Sequence, residues 1–209
     1  MKLILIPLFI SMSSASAVAA GYAEIYAAGQ LGGSNFTDQS GLVEHKKSSN
    51  FFTNMGGALG VKGRLRVGPV ALAIGMEYGS KEEGFDRNSS GSSVEYVLQM
   101  ERLLGAAHAA AYLYEKWALH LYAEYDPYVL NRVKLTRGSP LSFFESGDTY
   151  TGSGYAVGIG FGEEVFFRVT NRFLQYNKVK LNGQERDLPG NGTSIISTSE
   201  LVFQIGALL

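Results

Sequence analysis

MGGALGVKGRLRVGPVALAIGMEYG, residues 55–79, alternates apolar with polar or small side chains on both sides of a Gly68-Pro69 pair. Before the pair, Met55, Gly57, Leu59, Val61, Gly63, Leu65 and Val67 fall on one face, with Asn54, Lys62, Arg64 and Arg66 on the other. After it, Val70, Leu72, Ile74, Met76 and Tyr78 continue the apolar face, opposite Ala71, Ala73, Gly75, Glu77 and Gly79. Side chains of a strand point alternately to its two faces, so each half reads as a strand with one apolar face. Gly-Pro turns the chain tightly, which makes the stretch a hairpin with a short connection.

The same period recurs along the chain. Ala23, Ile25, Ala27 and Leu31 oppose Glu24, Tyr26 and Gln30; Trp117, Leu119, Leu121, Ala123 and Tyr125 oppose His120, Tyr122, Glu124 and Asp126. Tyr155, Val157, Ile159 and Phe161 alternate with Ala156, Gly158, Gly160 and Gly162. Leu201, Phe203, Ile205, Ala207 and Leu209 alternate with Glu200, Val202 and Gln204. Residues 95–114 start with Tyr96, Leu98 and Met100 on one face, and Arg102 breaks that register. A bulge near Glu101 would restore it, moving Leu103, Ala107, Ala109 and Leu113 outward and Arg102 and His108 inward. The Ala- and Leu-rich composition of this stretch also suits a helix, and both readings stay open. Between 162 and 176 the pattern points to a turn at 170–172, pairing Phe167 with Leu174 and turning Arg168 inward. A turn at 163–165 is the alternative, and it would leave Asn171 facing outward.

The expected count is eight strands, joined by connections that alternate in length. Long polar ones cover roughly 34–51, 81–93, 137–152 and 182–193; short ones fall at 68–69, 114–116 and 170–172. Long loops on one side and tight turns on the other, with an even strand number, are the pattern of an antiparallel up-and-down transmembrane β-barrel. Backbone polar groups in hydrocarbon must all be paired, so a closed sheet is the only way for strands to span. Alternation alone does not say which face is inside. A soluble lipocalin-like barrel binding an apolar ligand would reverse the two faces; the asymmetry of the connections favours the membrane arrangement. Trp117, Phe51, Phe52, Tyr78 and Tyr155 lie near strand ends, where aromatic girdles form.

Residues 1–20 read as an export signal. Lys2 precedes a short apolar run, and Ala15-Ser16-Ala17 and Val18-Ala19-Ala20 are small-residue cleavage sites. Cleavage after Ala20 would start the barrel domain, 21–209, at Gly21. With no cysteine, the exported chain cannot be a disulfide scaffold. Its 26 glycines and 12% aromatic residues suit packed strands. A formal net charge of −1 gives no basic excess that would implicate nucleic acid as a partner.

The non-apolar face carries Glu24, Lys62, Arg64, Arg66, Glu77, Arg102, Glu124, Arg168 and Glu200. Both signs occur on different strands, so these groups can pair inside a narrow lumen as a structural charge network. An eight-stranded barrel is nearly filled by its own side chains, which favours a plug over a channel. A small gated pore for ions or small solutes is the alternative.

These features together resemble the OmpA/OmpX-like small outer-membrane β-barrel proteins, opacity-type surface proteins included. The resemblance covers the whole mature chain and is one of pattern. It rests on residues 154–162, on Val169-Thr170-Asn171-Arg172 and on the terminal strand. It implies a bacterial, Gram-negative outer-membrane location, outer-membrane lipid as surroundings, and recognition of the C-terminal strand by the barrel assembly machinery. Leu209 stands where the family has an aromatic residue. The resemblance also implies a structural or adhesion-like role through four surface-exposed loops, their partner unknown, with no cofactor.

Catalytic, cofactor and metal sites are not expected. His45, His108 and His120 lack metal-ligand spacing. His120 with Glu124 or Asp126 has no serine placed beside it that would complete a hydrolytic site. Gly158, Gly160 and Gly162 sit in a strand pattern with no helix following, unlike a nucleotide loop. In the loops, Phe143, Phe144 and Tyr150 form a candidate contact patch beside Glu145 and Asp148.

Overall fold

The computed structural model describes residues 20–37, 55–67, 70–86, 93–108, 112–114, 119–137, 145–188 and 194–209. The expected export signal therefore lies outside the described residues but for Ala20, where the first strand begins, and so do Phe51, Phe52 and Trp117. The strands are β1 (Ala20–Thr37), β2 (Met55–Val67), β3 (Val70–Asp86), β4 (Ser93–His108) and β5 (Tyr112–Tyr114), followed by β6 (Leu119–Arg137), β7 (Thr149–Phe161), β8 (Val165–Leu181), β9 (Gln184–Asp187) and β10 (Ser194–Leu208). Eight long strands follow one another antiparallel, and β10 pairs with both β8 and β1, which closes the sheet. The short β5 adds to β6, and β9 folds back on the end of β8. The fold is an all-β, eight-stranded, antiparallel up-and-down barrel.

Its wall is inside out. Leu59 is 69% exposed and Ile74 73%, with Val61, Leu72, Met76, Leu121, Val157, Ile159 and Ile205 exposed beside them. Arg168, Arg172, Lys62 and Lys81 are among the largest fully buried side chains. A Leu or Ile left in water forgoes about 1.5–3 kcal/mol of burial, so a belt of them requires an apolar surround. The outward positions, apolar but for Asn171, run from Val70 to Tyr78 on β3, from Val165 to Phe173 on β8, and from Leu201 on β10 to Leu209 just past its end. Each run is about nine residues, the span of a tilted strand across hydrocarbon. The chain is a membrane-spanning barrel of the outer-membrane type.

The hairpin at 55–79 follows its sequence pattern, with Val67 opposite Val70 and Lys62 opposite Gly75. Three expectations need correction. The turn expected at 170–172 lies instead at 162–164, and β8 runs unbroken through Thr170, Asn171 and Arg172. Gly162 explains the choice: its φ of +92° is one an L side chain rarely adopts. The consequence is that Asn171 faces outward between Val169 and Phe173, while Arg168 and Arg172 both turn inward.

The bulge expected near Glu101 is also elsewhere. β4 pairs with β3 without a break, placing Arg102 opposite Glu77, Met100 opposite Gly79 and Leu98 opposite Lys81. The extra residue sits in β6. Its pairing with β4 steps from Tyr128 to Tyr125, and its pairing with β7 from Asp126 to Val129. Pro127 lies within that step and has no N–H to give a ladder, so a bulge is where a strand tolerates it. The helical alternative for 95–114 is excluded over Ser93–His108, which is strand.

The connections expected to be long are partly strand. β1 continues to Thr37, β3 to Asp86, β6 to Arg137, and β7 starts at Thr149. These extensions carry the barrel well beyond the apolar belt on the side opposite the tight turns.

Candidate functional site

Among the described side chains, those lining the interior come from β1, β2, β3, β6, β8 and β10, with β7 giving space. β7 turns Gly152, Gly154, Ala156, Gly158 and Gly160 inward. At Gly160 a Cβ would stand 2.5 Å from His120 Nε2 and 2.7 Å from Arg168 Cγ, so the glycine makes room for that pair. At Gly60 a Cβ would collide with the Tyr26 ring.

Toward the tight-turn end, Glu24 of β1 accepts two hydrogen bonds from Arg168 of β8, Nη1 to Oε1 at 2.5 Å and Nη2 to Oε2 at 2.9 Å. Arg168 also donates Nε–H to His120 Nε2 at 3.3 Å, which leaves the ring proton of His120 on Nδ1. Its guanidinium lies 3.9 Å from the Phe166 ring centroid and 4.9 Å from that of Tyr122. Lys62 of β2 donates to Glu124 Oε2 at 2.7 Å and to Tyr122 OH at 2.6 Å, and stands 3.9 Å from Glu24. Arg64 Nη1 is 4.0 Å from Glu24 Oε2.

Further up, Glu77 of β3 accepts from Tyr26 OH at 2.8 Å, from Gln30 at 3.3 Å and from Arg172 Nη2 at 3.3 Å. Arg172 turns its other nitrogen to Glu200 Oε2 at 3.2 Å, and Lys81 reaches Glu200 Oε1 at 2.7 Å and Glu83 at 2.6 Å. Glu83 accepts from the Ser34 hydroxyl and backbone N–H at 3.1 and 3.2 Å. Carboxylates and cations thus alternate along the lumen, each held by partners on other strands. A buried charge left alone is costly, and pairing with several hydrogen bonds is what makes such an interior tolerable.

Of the charged residues expected inside, Glu24, Lys62, Arg64, Glu77, Glu124, Arg168 and Glu200 are buried and meet within these two linked clusters. Arg66 is at the rim, partly exposed, and pairs with Glu163 of the 162–164 turn. Arg102 is placed by its backbone alone, opposite Glu77. Sequence reasoning missed Lys81 and Glu83, assigned to a loop, and Arg172, assigned to a turn. The period-two pattern continued through all three, but their outward neighbours Ser80, Glu82 and Asn171 are polar. Tyr26 and Tyr122 were placed on the inner face without a role; they bridge the charges.

Of the expected loop patch, Tyr150 is the residue the structure describes, and it is not exposed. Tyr150 belongs to β7, is fully buried and packs edge-on against Tyr176 with ring centroids 5.9 Å apart. Phe143 and Phe144 lie outside the described residues. Asp148, nearby, accepts backbone N–H bonds from Glu145 at 2.7 Å and Asn182 at 3.3 Å, tying the β6–β7 connection to the β8–β9 turn. Burial pushes its carboxyl above the usual range. On the exposed β8–β9 hairpin, Lys178 donates to Glu185 at 2.7 Å; that bond raises the lysine pKa and lowers the glutamate's. Among the described residues, no group of three His, Asp or Glu is arranged to hold a metal.

Neither a protein-family model nor a curated protein sequence matches the chain. Solved structures similar in fold include two bacterial proteins. Neisserial surface protein A has a TM-score of 0.44 and 14% identity, over 90% of this chain and 97% of that one. Ail, the attachment invasion locus protein of Yersinia pestis, solved in complex with the heparin analogue sucrose octasulfate, has a TM-score of 0.49 and 10% identity, again over 90% and 97%.

Proposed function

We propose that the protein is a non-catalytic bacterial outer-membrane barrel of the OmpA/OmpX-like, opacity-type kind, holding a surface-interaction role through the four connections on its extended side. The observation that carries this reading is the inside-out wall closed around an ion-paired interior. An apolar belt about nine residues tall surrounds a lumen whose large charged side chains are buried against one another. Such an interior favours a plug over a channel, and the strands raise the connections above the belt where a partner meets them first. The aromatic-poor end at Leu209 still keeps the alternation of β10 that the assembly machinery would read.

Cells displaying the full chain, compared with cells displaying a version whose 38–54 and 138–144 segments are replaced by short Gly-Ser linkers, test the role. Both versions should fold, seen as a faster-migrating unboiled band, and only the full chain should increase attachment to glycan-coated or host-cell surfaces. Equal attachment by both versions would remove the loop-borne role. The pore reading predicts conductance steps in planar bilayers; the plugged interior predicts none. A soluble ligand-binding barrel would line its interior with apolar groups, whereas here Lys62, Lys81, Arg168 and Arg172 occupy it.

A further inference from the structure

Asn171 breaks the apolar belt. Between the tight turns and the upper edge at Tyr78, Tyr125, Tyr155 and Phe173, the other outward side chains described on β1, β2, β3, β6, β7, β8 and β10 are apolar or glycine. Asn171 stands one outward step below Phe173 and one above Val169, with Val157 of β7 and Leu201 of β10 beside it in register. The residue is exposed, and its carboxamide bonds to no other described residue. Ring pairs bracket it on the same wall: Tyr155 with Phe173, centroids 5.2 Å apart, toward the upper edge, and Phe161 with Phe167, 5.3 Å apart, toward the turns. The ladder pairs the strand at this position with β7 on one side and β10 on the other, so the fold itself asks for no amide there. In hydrocarbon a polar group without a partner is costly, and Leu or Val would fill the place as the neighbours do. The carboxamide therefore calls for a partner from outside the barrel at its own depth.

We propose that this partner is a second copy of the chain, and that two barrels pair side by side through the β7–β8–β10 wall, Asn171 against Asn171. Copies inserted in one membrane share an orientation, so a two-fold axis relating them runs along the membrane normal. Such an axis brings each residue at the interface opposite its own counterpart, at the same depth. A carboxamide is both donor and acceptor, so two of them facing across the axis exchange N–H···O bonds and satisfy each other. The patch around them, Val157, Ile159, Val169 and Leu201 with the ring pairs, holds no charge that its own image would repel. Lipid tails cover apolar surface as well as another barrel does, so packing alone gives the wall little preference for a copy; the amide supplies it. A lipid headgroup would have to reach below the aromatic edge, and a different protein would have to bring a polar group to the same depth. The inference rests on the membrane-spanning reading above.

The test uses the full chain folded into density-matched micelles and into vesicles. Sedimentation equilibrium should show monomer and dimer, with association weakened about tenfold in N171L and largely kept in N171Q, which retains the amide. N171L should also keep the faster-migrating unboiled band and unfold in vesicles at no lower urea concentration than wild type, because leucine suits the belt. In vesicles, single cysteines should cross-link between copies in V169C, beside the axis, and not in I74C, on the β3 wall. A wild type that stays monomeric at every protein-to-detergent ratio would overturn the proposal and leave the amide to a lipid or to a different protein. Association undiminished in N171L, or equal cross-linking in V169C and I74C, would overturn it by placing the interface elsewhere. Unfolding of N171L at lower urea would overturn it by assigning Asn171 to the fold. If the wild type itself lacks the faster band, the membrane reading fails, a result distinct from any of these.

Discussion

Arg168 and Glu24, 144 residues apart in sequence, meet inside the barrel through two parallel hydrogen bonds that link β8 to β1 across β10. The fork of a guanidinium matches the two oxygens of a carboxylate, and both groups are buried. Removing one partner leaves the other charged in a place water does not reach. R168A and E24A should therefore each destabilise the folded barrel by about 3–5 kcal/mol, and the paired replacement R168M/E24L by clearly less than their sum. Urea unfolding in vesicles measures this; additive losses would mean the pair does not couple.

Crowding around the same arginine gives a second expectation. G160A places a methyl against His120 and the Arg168 stem and should cost about 1–3 kcal/mol. G63A, on the outer face, meets only the Ile74 carbonyl at 4.0 Å and should stay within about 0.5 kcal/mol of wild type. Denaturant midpoints of the two variants decide it, and equal midpoints would argue against a tightly filled interior.

The Lys178–Glu185 pair predicts how the β8–β9 hairpin responds to pH. Glu185 is held below its ordinary value of 4.5, so its stabilising share is present above that value and is lost as pH falls through the lower, folded-state one. Lys178 is held above 10.5, and its share is lost as pH rises through the folded-state value. Both groups are exposed, so the effect is local and weakens with salt. Protection of the Gly183 amide, taken relative to its intrinsic exchange rate at each pH, should fall below about pH 4.5 in wild type, and K178A should abolish that acid-side change. An unchanged acid response in K178A would assign it to other carboxylates.

Much of this was legible in the sequence wherever lipid dictates the outer face. Leu59, Val61, Leu72, Ile74 and Met76 must be apolar, so the period of two is plain and the inward Lys62 and Glu77 follow from it. Above Tyr78 the outer face meets headgroups and water. Ser80 and Glu82 satisfy it as well as any apolar residue, and the pattern goes silent although the ladder continues to Asp86. That is why Lys81, Glu83 and Tyr150 read as loop residues. Arg172 was lost for a different reason. Thr170-Asn171 has turn chemistry, and an outward Asn171 in the belt looked too costly, whereas Gly162 with its positive φ was the stronger signal. Pro127, which cannot donate to a ladder, was likewise the marker of the β6 bulge.

The central claim is that the apolar outer wall faces lipid and the charged face is interior. The chain has no cysteine, so single cysteines can be introduced and labelled without competition. Fluorophores at positions 74 and 82, both outward on β3, should be read in vesicles whose acyl chains carry bromine. The account predicts strong quenching at 74, in the middle of the belt, and little at 82, above Tyr78. Equal quenching at the two positions, or ready quenching of the 74 label by an aqueous quencher, would contradict it.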